Sequence, residues 1–151
     1  MTLHTPTPAL PPCCRVAVGL GCDRGTPLAT LERAVAEALA LAGAQLADVA
    51  AVGSIDLKAD EVGLLALAAQ HGWPLTFYTA AHLAGVTVPN PSETVRKYTG
   101  SPSVSEAAAL LAASASGQAL PAAALLVEKY KHRGADGRNA TVSVARCQLL
   151  N

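Results

Sequence analysis

Apolar residues in the first half of the chain fall into short continuous runs, and between the runs they recur at helical spacing. That pattern predicts buried strands alternating with amphipathic helices. Val16, Ala17 and Val18 form the first run, which reads as a strand ending at Gly19. Leu28, Leu31, Val35 and Leu39 then repeat on one helical face, with Glu32, Arg33 and Glu37 on the others. Thr26 is the expected N-cap of that helix, Pro27 its first residue and Gly43 its stop. Val49–Ile55 reads as a second strand, and a second helix runs to about Gln70, closed by His71-Gly72-Trp73-Pro74. Leu75–Tyr78 is the third strand. Strand, helix, strand, helix, strand implies parallel neighbours joined by right-handed crossovers.

In the second half the pattern is more broken. Thr79 to Leu83 reads as a short helix and Val86 to Val88 as an extended piece. The prolines of Pro89-Asn90-Pro91-Ser92 exclude regular structure, and a short helix through Tyr98 and a turn at Thr99-Gly100-Ser101-Pro102 follow. Ser103-Val104-Ser105-Glu106 fits a capping box at the head of an alanine-rich helix to about Ser114. Ala122 to Val127 is continuously apolar, the pattern of a central strand covered on both faces. Glu128 to Arg133, a turn at Asp136-Gly137 and the alternation Thr141, Val142, Ser143, Val144 read as an antiparallel hairpin at one side of the sheet. The expected fold is a three-layer α/β/α domain with a mixed, mostly parallel central sheet and a C-terminal hairpin. Residues 1–14, with prolines at positions 6, 8, 11 and 12, form a flexible tail, and residues 15–151 form one domain.

Composition narrows the picture. A chain of 151 residues can bury a core without disulfide or metal staples, and with aromatics at 3% that core must be built from small and branched aliphatic side chains. Eleven basic residues against eleven acidic ones give no global field for nucleic acid. Residues 76–151 carry seven basic and four acidic side chains, with Lys129, Lys131, Arg133 and Arg138 close together, which suits either a solvated loop or an anion-facing patch. Cys13, Cys14, Cys22 and Cys147 lack zinc-site spacing, so no metal and no cofactor is expected and the thiols read as reduced. With no signal peptide and no membrane span, the expectation is a soluble cytoplasmic protein.

Candidate chemistry gathers where strands end. Gly19-Leu20-Gly21-Cys22-Asp23-Arg24-Gly25 reads as a glycine-rich turn between strand and helix. Its backbone N–H groups could meet an anion, or its glycines could serve only a tight turn. The spacing G-x-G-x-x-x-G is one residue longer than the dinucleotide fingerprint, and Asp56 lies farther along than that fingerprint expects. The Arg24 fork suits a carboxylate or phosphate, and Cys22 is expected near a helix N-terminus that lowers its pKa. Ser54, Asp56, Lys58, Asp60 and Glu61 cluster at the end of the second strand. Asp60 and Glu61 also suit a helix first turn, while Lys58 is placed to hold a substrate carboxylate or to transfer a proton. Asn90, Ser92, Ser101, Ser103 and Glu106 form a polar series on two loops, with Ser103 and Glu106 doubling as caps. Glu128-Lys129-Tyr130-Lys131 reads as a protected edge strand or as one wall of a site. No serine lies in a nucleophile elbow and the four histidines have no evident partner, which excludes a serine hydrolase triad.

Six ordered blocks together resemble one family. They are Gly19 to Gly25, Ser54 to Glu61, Val88 to Ser92, Thr99 to Ala108, Glu128 to Lys131, and Thr141-Val142-Ser143-Val144-Ala145-Arg146. The chain is similar, over about Arg15 to Arg146, to the CobE and CbiG C-terminal family of cobalamin biosynthesis. The resemblance implies a role in building the corrin ring. CbiG-type members carry further N-terminal domains and open a lactone on a cobalt-precorrin with release of a two-carbon aldehyde. A chain without room for those domains resembles the stand-alone CobE type of the aerobic route. The implied partner is a precorrin or corrin tetrapyrrole, together with other enzymes of the pathway. Arg24, Lys58 and Lys129 would supply cations to its carboxylates, beside Gly19, Gly21, Cys22, Gly25, Ser54 and Glu128. A hydrolase with Lys58 and Glu61 in acid–base roles, and a nucleotide-binding or structural subunit, are the alternatives.

Overall fold

Which residues alternate along the first strand decides what can pack on each side of the sheet. In the computed structural model, which describes residues 15–89 and 103–148, Val16, Val18 and Leu20 enter one hydrophobic cluster, while Ala17 and Gly19 face the opposite layer. The elements in chain order are β1 (Val16–Cys22), α1 (Leu28–Ala42), β2 (Val49–Ile55), α2 (Val62–His71), β3 (Leu75–Tyr78), α3 (Ala80–Ala84), α4 (Val104–Ala112), β4 (Leu125–Arg133) and β5 (Asn139–Arg146). The sheet order is β3-β2-β1-β5-β4. β1, β2 and β3 pair in parallel, and β5 pairs antiparallel with both β1 and β4, so the sheet is mixed, as the sequence predicts.

Helices α1 and α2 cover the face carrying Val16, Val18, Leu20, Val52, Val142 and Val144. Helices α3 and α4 cover the face carrying Ala17, Ile55 and Ala145. On that second face the strands offer glycine. Gly19 and Gly53 are register partners across β1 and β2, and α4 lies directly over both. A Cβ on Gly19 would fall 1.9 Å from the Ser105 carbonyl oxygen and 2.6 Å from the Ala109 nitrogen. A Cβ on Gly53 would fall 3.0 Å from the Ala108 carbonyl oxygen. The alanine-rich helix is thus matched by a glycine floor, which allows backbone-to-backbone approach in a core short of aromatics.

Four local expectations change. β1 does not stop at Gly19 but runs through Cys22, because β5 pairs along its whole length, from Val16↔Arg146 to Cys22↔Ala140. The apolar run Ala122 to Val127 is not a central strand. Ala122–Ala124 is a 3-10 turn, and β4 is a half-buried edge strand, since β5, with Val142, Ser143, Val144 and Ala145 all buried, takes the place beside β1. Third, Ser103 is the N-cap of α4 but makes no side-chain cap bond, so the capping box does not form. At α1, Thr26 Oγ1 donates to the Asp23 carbonyl instead of capping, and Pro27 is the cap residue. Gly43 closes α1 in the left-handed conformation expected of it, at φ 72°. The predicted helix through Tyr98 lies outside the described residues.

Candidate functional site

The direction of α4 fixes where a site can form. Beyond its C-terminus, the Ala113 carbonyl accepts from Gln148, and the neighbouring Cys147 N–H donates to Arg15 at the start of β1. The head of α4 therefore lies toward the carboxyl end of β1, over β1 and β5, at the edge at which open α/β sheets bind ligands. Two polar groups meet there, one on each face of the sheet.

The first is built on the β1–α1 loop. Gly25, at φ 76°, turns its N–H onto Glu61, 3.0 Å from Oε1 and 3.3 Å from Oε2. Arg24 Nη1 donates to Glu61 Oε2 at 2.9 Å and to Asp60 Oδ1 at 2.6 Å, and Nη2 donates to the Leu57 carbonyl at 2.8 Å. The Asp60 contact holds the Asp60 carboxyl below the usual carboxylate range and pushes the Arg24 guanidinium further up. On its other side the loop is tied to β5. Asn139 donates from both nitrogens to Asp23 Oδ2, and Arg138 Nε donates to the Arg24 carbonyl. The strand, glycine turn and helix do form an anion cradle, but the anion in it is the chain's own. Glu61 is buried with both oxygens engaged, and the Arg24 fork is likewise engaged inside the protein. This pair clasps the β1–α1 and β2–α2 loops together.

The second group sits on the α4 face. Gly21 points the same way as Gly19, two residues earlier, yet a Cβ there would meet nothing within 4 Å. Among the described residues, nothing covers the sheet surface beyond the head of α4. Beside it Ser103, Ser105, Glu106 and Ser143 are all buried polar residues. Ser143 Oγ is hydrogen-bonded to Ser105 Oγ at 2.9 Å and donates to the Glu128 carbonyl, which joins β5, α4 and β4. Glu106 is fully buried and lies 4.0 Å from the Lys129 ammonium on β4. Ser103 Oγ is buried and has no hydrogen-bond partner among the described residues. Buried polar atoms in native folds are nearly always bonded, so a cluster of this kind on an α-helix of alanines calls for a functional account.

Two further candidates fall elsewhere. Ser54 is fully buried on the α1 side and donates to the Leu20 carbonyl at 2.7 Å, which ties β2 to β1 without facing solvent. Cys22 also lies on the α1 side, and Lys58, half-buried in the 3-10 turn Asp56–Lys58, is close enough to act on its charge. Burial pushes the Cys22 thiol up, and the Lys58 ammonium only partly offsets this. The expected lowering by a helix N-terminus does not occur, because α1 begins only at Leu28. Native Cys22 should therefore be alkylated by iodoacetamide at pH 8 more slowly than in the unfolded chain, because burial raises its pKa and lowers the thiolate fraction. Peptide mapping by mass spectrometry measures the rate; equal rates in the two states would contradict the burial.

The fold brings together Gly21, Ser103, Glu106, Glu128 and Lys129 on one face, and Gly25, Arg24, Lys58 and Glu61 on the other. Gly19 belongs to the packing under α4. Asn90, Ser92 and Ser101 lie outside the described residues. Sequence reasoning missed Ser105 and Ser143. The signal for Ser143 was its place within Thr141-Val142-Ser143-Val144, where alternation suggested a solvent face that α4 in fact covers. At the opposite end of the strands, Arg15, Leu46, His71 and Trp73 line a shallow groove of about 480 Å³, with His71 stacked on Trp73 at 4.4 Å. Among the described residues no group of three or more His, Cys, Asp or Glu could hold a metal ion, and no helix is long and apolar enough to cross a membrane.

A mixed sheet between two helical layers defines an α/β/α domain, with polar clusters toward the carboxyl ends of its parallel strands. Residues 16–145 match the family described as cobalamin synthesis G C-terminus, and the chain belongs to that family. A cobalt-precorrin-5A hydrolase from Priestia megaterium is 42% identical over 96 residues, covering 64% of this chain and 26% of that protein. Protein CobE from Sinorhizobium sp. is 41% identical over 100 residues, 65% of each chain. The chain thus spans about a quarter of one of these relatives and about two thirds of the other. Among solved structures, CobE, a protein from the cobalamin (vitamin B12) biosynthetic pathway, matches with a TM-score of 0.67 and 30% identity, covering 100% of this chain and 98% of that one. A cobalamin biosynthesis protein G homologue from Sulfolobus solfataricus, 15% identical with a TM-score of 0.63 over 89% of this chain and 37% of that one, shares the fold.

Proposed function

We propose that this chain acts in cobalamin biosynthesis by binding a precorrin or corrin intermediate across the carboxyl ends of β1 and β2. The observation that carries the reading is the open surface at Gly21 beside the buried polar head of α4. A large ring edged with acetate and propionate groups needs apolar floor, hydrogen-bond donors and cations together. Gly21 supplies floor, the α4 head and Ser103 supply donors, and Lys129 stands on the same face beside Glu106. Scarce aromatics leave aliphatic contact to support the ring face. The names of the relatives point to the same pathway. A nucleotide reading loses support, because Glu61 already fills the cradle a phosphate would use.

Titration of the protein with corrinoid intermediates, followed in the visible spectrum, tests this. Saturable spectral change, or pigment that co-purifies, is the expected result; an unchanged spectrum with no pigment rules the reading out. The hydrolase reading is favoured by the name of the Priestia megaterium relative. With Glu61 engaged in the loop clasp, its acid–base work would fall to Lys58, or to Glu106 beside Lys129. In the same titration it would appear as a slow change in ligand mass that is lost in Lys58→Ala or Glu106→Gln.

A further inference from the structure

We propose that the head of α4 is the subsite for one peripheral carboxylate of the ring, an inference that rests on the tetrapyrrole reading above. An N-cap serine ordinarily turns its hydroxyl onto a first-turn N–H. Ser103 does not: its backbone is extended, at φ −160° and ψ 105°, and no side-chain cap bond is made. Its hydroxyl is nevertheless 1% exposed and has no hydrogen-bond partner among the described residues. A buried, unpartnered donor at the end of a helix of 9 residues lies where first-turn N–H groups have no acceptor within the helix and the helix dipole is positive. Gly21 leaves the adjoining sheet surface open on the same face.

Charge selects the ligand group. Glu106, in the same first turn, would repel an anion if it stood alone, but the Lys129 ammonium lies 4.0 Å from its Oε1. The pair is neutral as a unit, which leaves the dipole and the hydroxyl to set the preference. That suits a monoanion of planar shape. A carboxylate accepting from Ser103 Oγ and from first-turn N–H groups satisfies a hydroxyl that has no hydrogen-bond partner among the described residues.

The test compares a corrinoid bearing free peripheral carboxylates with its methyl ester, by visible-spectrum titration of the full chain. The parent should prefer the acid, and Ser103→Ala should lower that preference by about tenfold, the factor expected for one charge-assisted hydrogen bond. Because Ser103 makes no cap bond, Ser103→Ala should also leave the melting temperature unchanged, which separates this role from a structural one. Lys129→Gln provides a second route. It removes a positive charge beside Glu106 and should weaken binding of the acid while sparing the ester. Equal affinity of the parent for acid and ester, or a preference unchanged in both variants, overturns the subsite and leaves the tetrapyrrole reading standing. Binding of neither ring overturns both.

Discussion

Gly19→Ala should destabilise the protein by about 3 kcal/mol or more, seen as a large drop in the urea midpoint. Overpacking a core commonly costs about 1–3 kcal/mol because side chains can shift. Here no side chain is available to move. The new methyl would stand 1.9 Å from a carbonyl oxygen and 2.6 Å from a nitrogen of the α4 backbone, so the whole helix must lift from the sheet. Replacing glycine also restricts the unfolded chain, a gain of about 0.4–1 kcal/mol that is too small to compensate. Gly21→Ala is the matched control. It sits on the same strand and face with open space around it and no positive φ, so its stability should stay within about 0.5 kcal/mol of the parent. Similar midpoints for the two variants would mean that α4 does not rest on the glycine floor.

Glu61→Ala should cost about 2–3 kcal/mol in the same measurement. Its carboxylate accepts from the Gly25 N–H and from Arg24 while nearly buried, at 5% side-chain exposure, and hydrogen bonds to a charged group contribute about 1.5–3 kcal/mol. Truncation also removes the only acceptor described for the Gly25 N–H. The loop around Asp23, Arg24 and Gly25 should then open, and limited proteolysis should cut there first. Asp60→Ala removes the other partner of Arg24, but that side chain is 79% exposed and water screens the pair. Its loss should shift the midpoint far less than the loss of Glu61. If both variants unfold alike, the clasp is an ordinary surface ion pair.

The sequence carried the first half of the fold well. Val49–Ile55 and Leu75–Tyr78 have the limits the apolar pattern implies, because period and turn residues agree there. It failed where tertiary partners override local pattern. Six apolar residues from Ala122 to Val127 look like a sheet centre, yet no local feature says that β5 will insert between β1 and β4. Nor does spacing reveal that β1 continues through two glycines, since only the antiparallel ladder with β5 holds them extended. In the candidate site, the meeting of Arg24 with Glu61 was hidden for the opposite reason. Each residue was conspicuous, but as a ligand group, and sequence cannot show that two such groups answer each other across 37 positions. The S-x-x-E pattern at Ser103 misled in the same way, because the residue types of a capping box are present where no side-chain cap bond is made.

The bond from Cys147 to Arg15 and that from Gln148 to Ala113 have a use beyond closing the sheet. They hold the entry and exit of the folded core side by side, at the amino ends of the parallel strands. The open ground beside Gly21 lies at the other end. A polypeptide joined before Arg15 or after Gln148 would therefore start from the end of the strands opposite Gly21, where we propose that the ring binds. The same fold can then work as a small unit, or as one module in a longer chain such as the relative of which it spans 26%, without redesign of its binding edge.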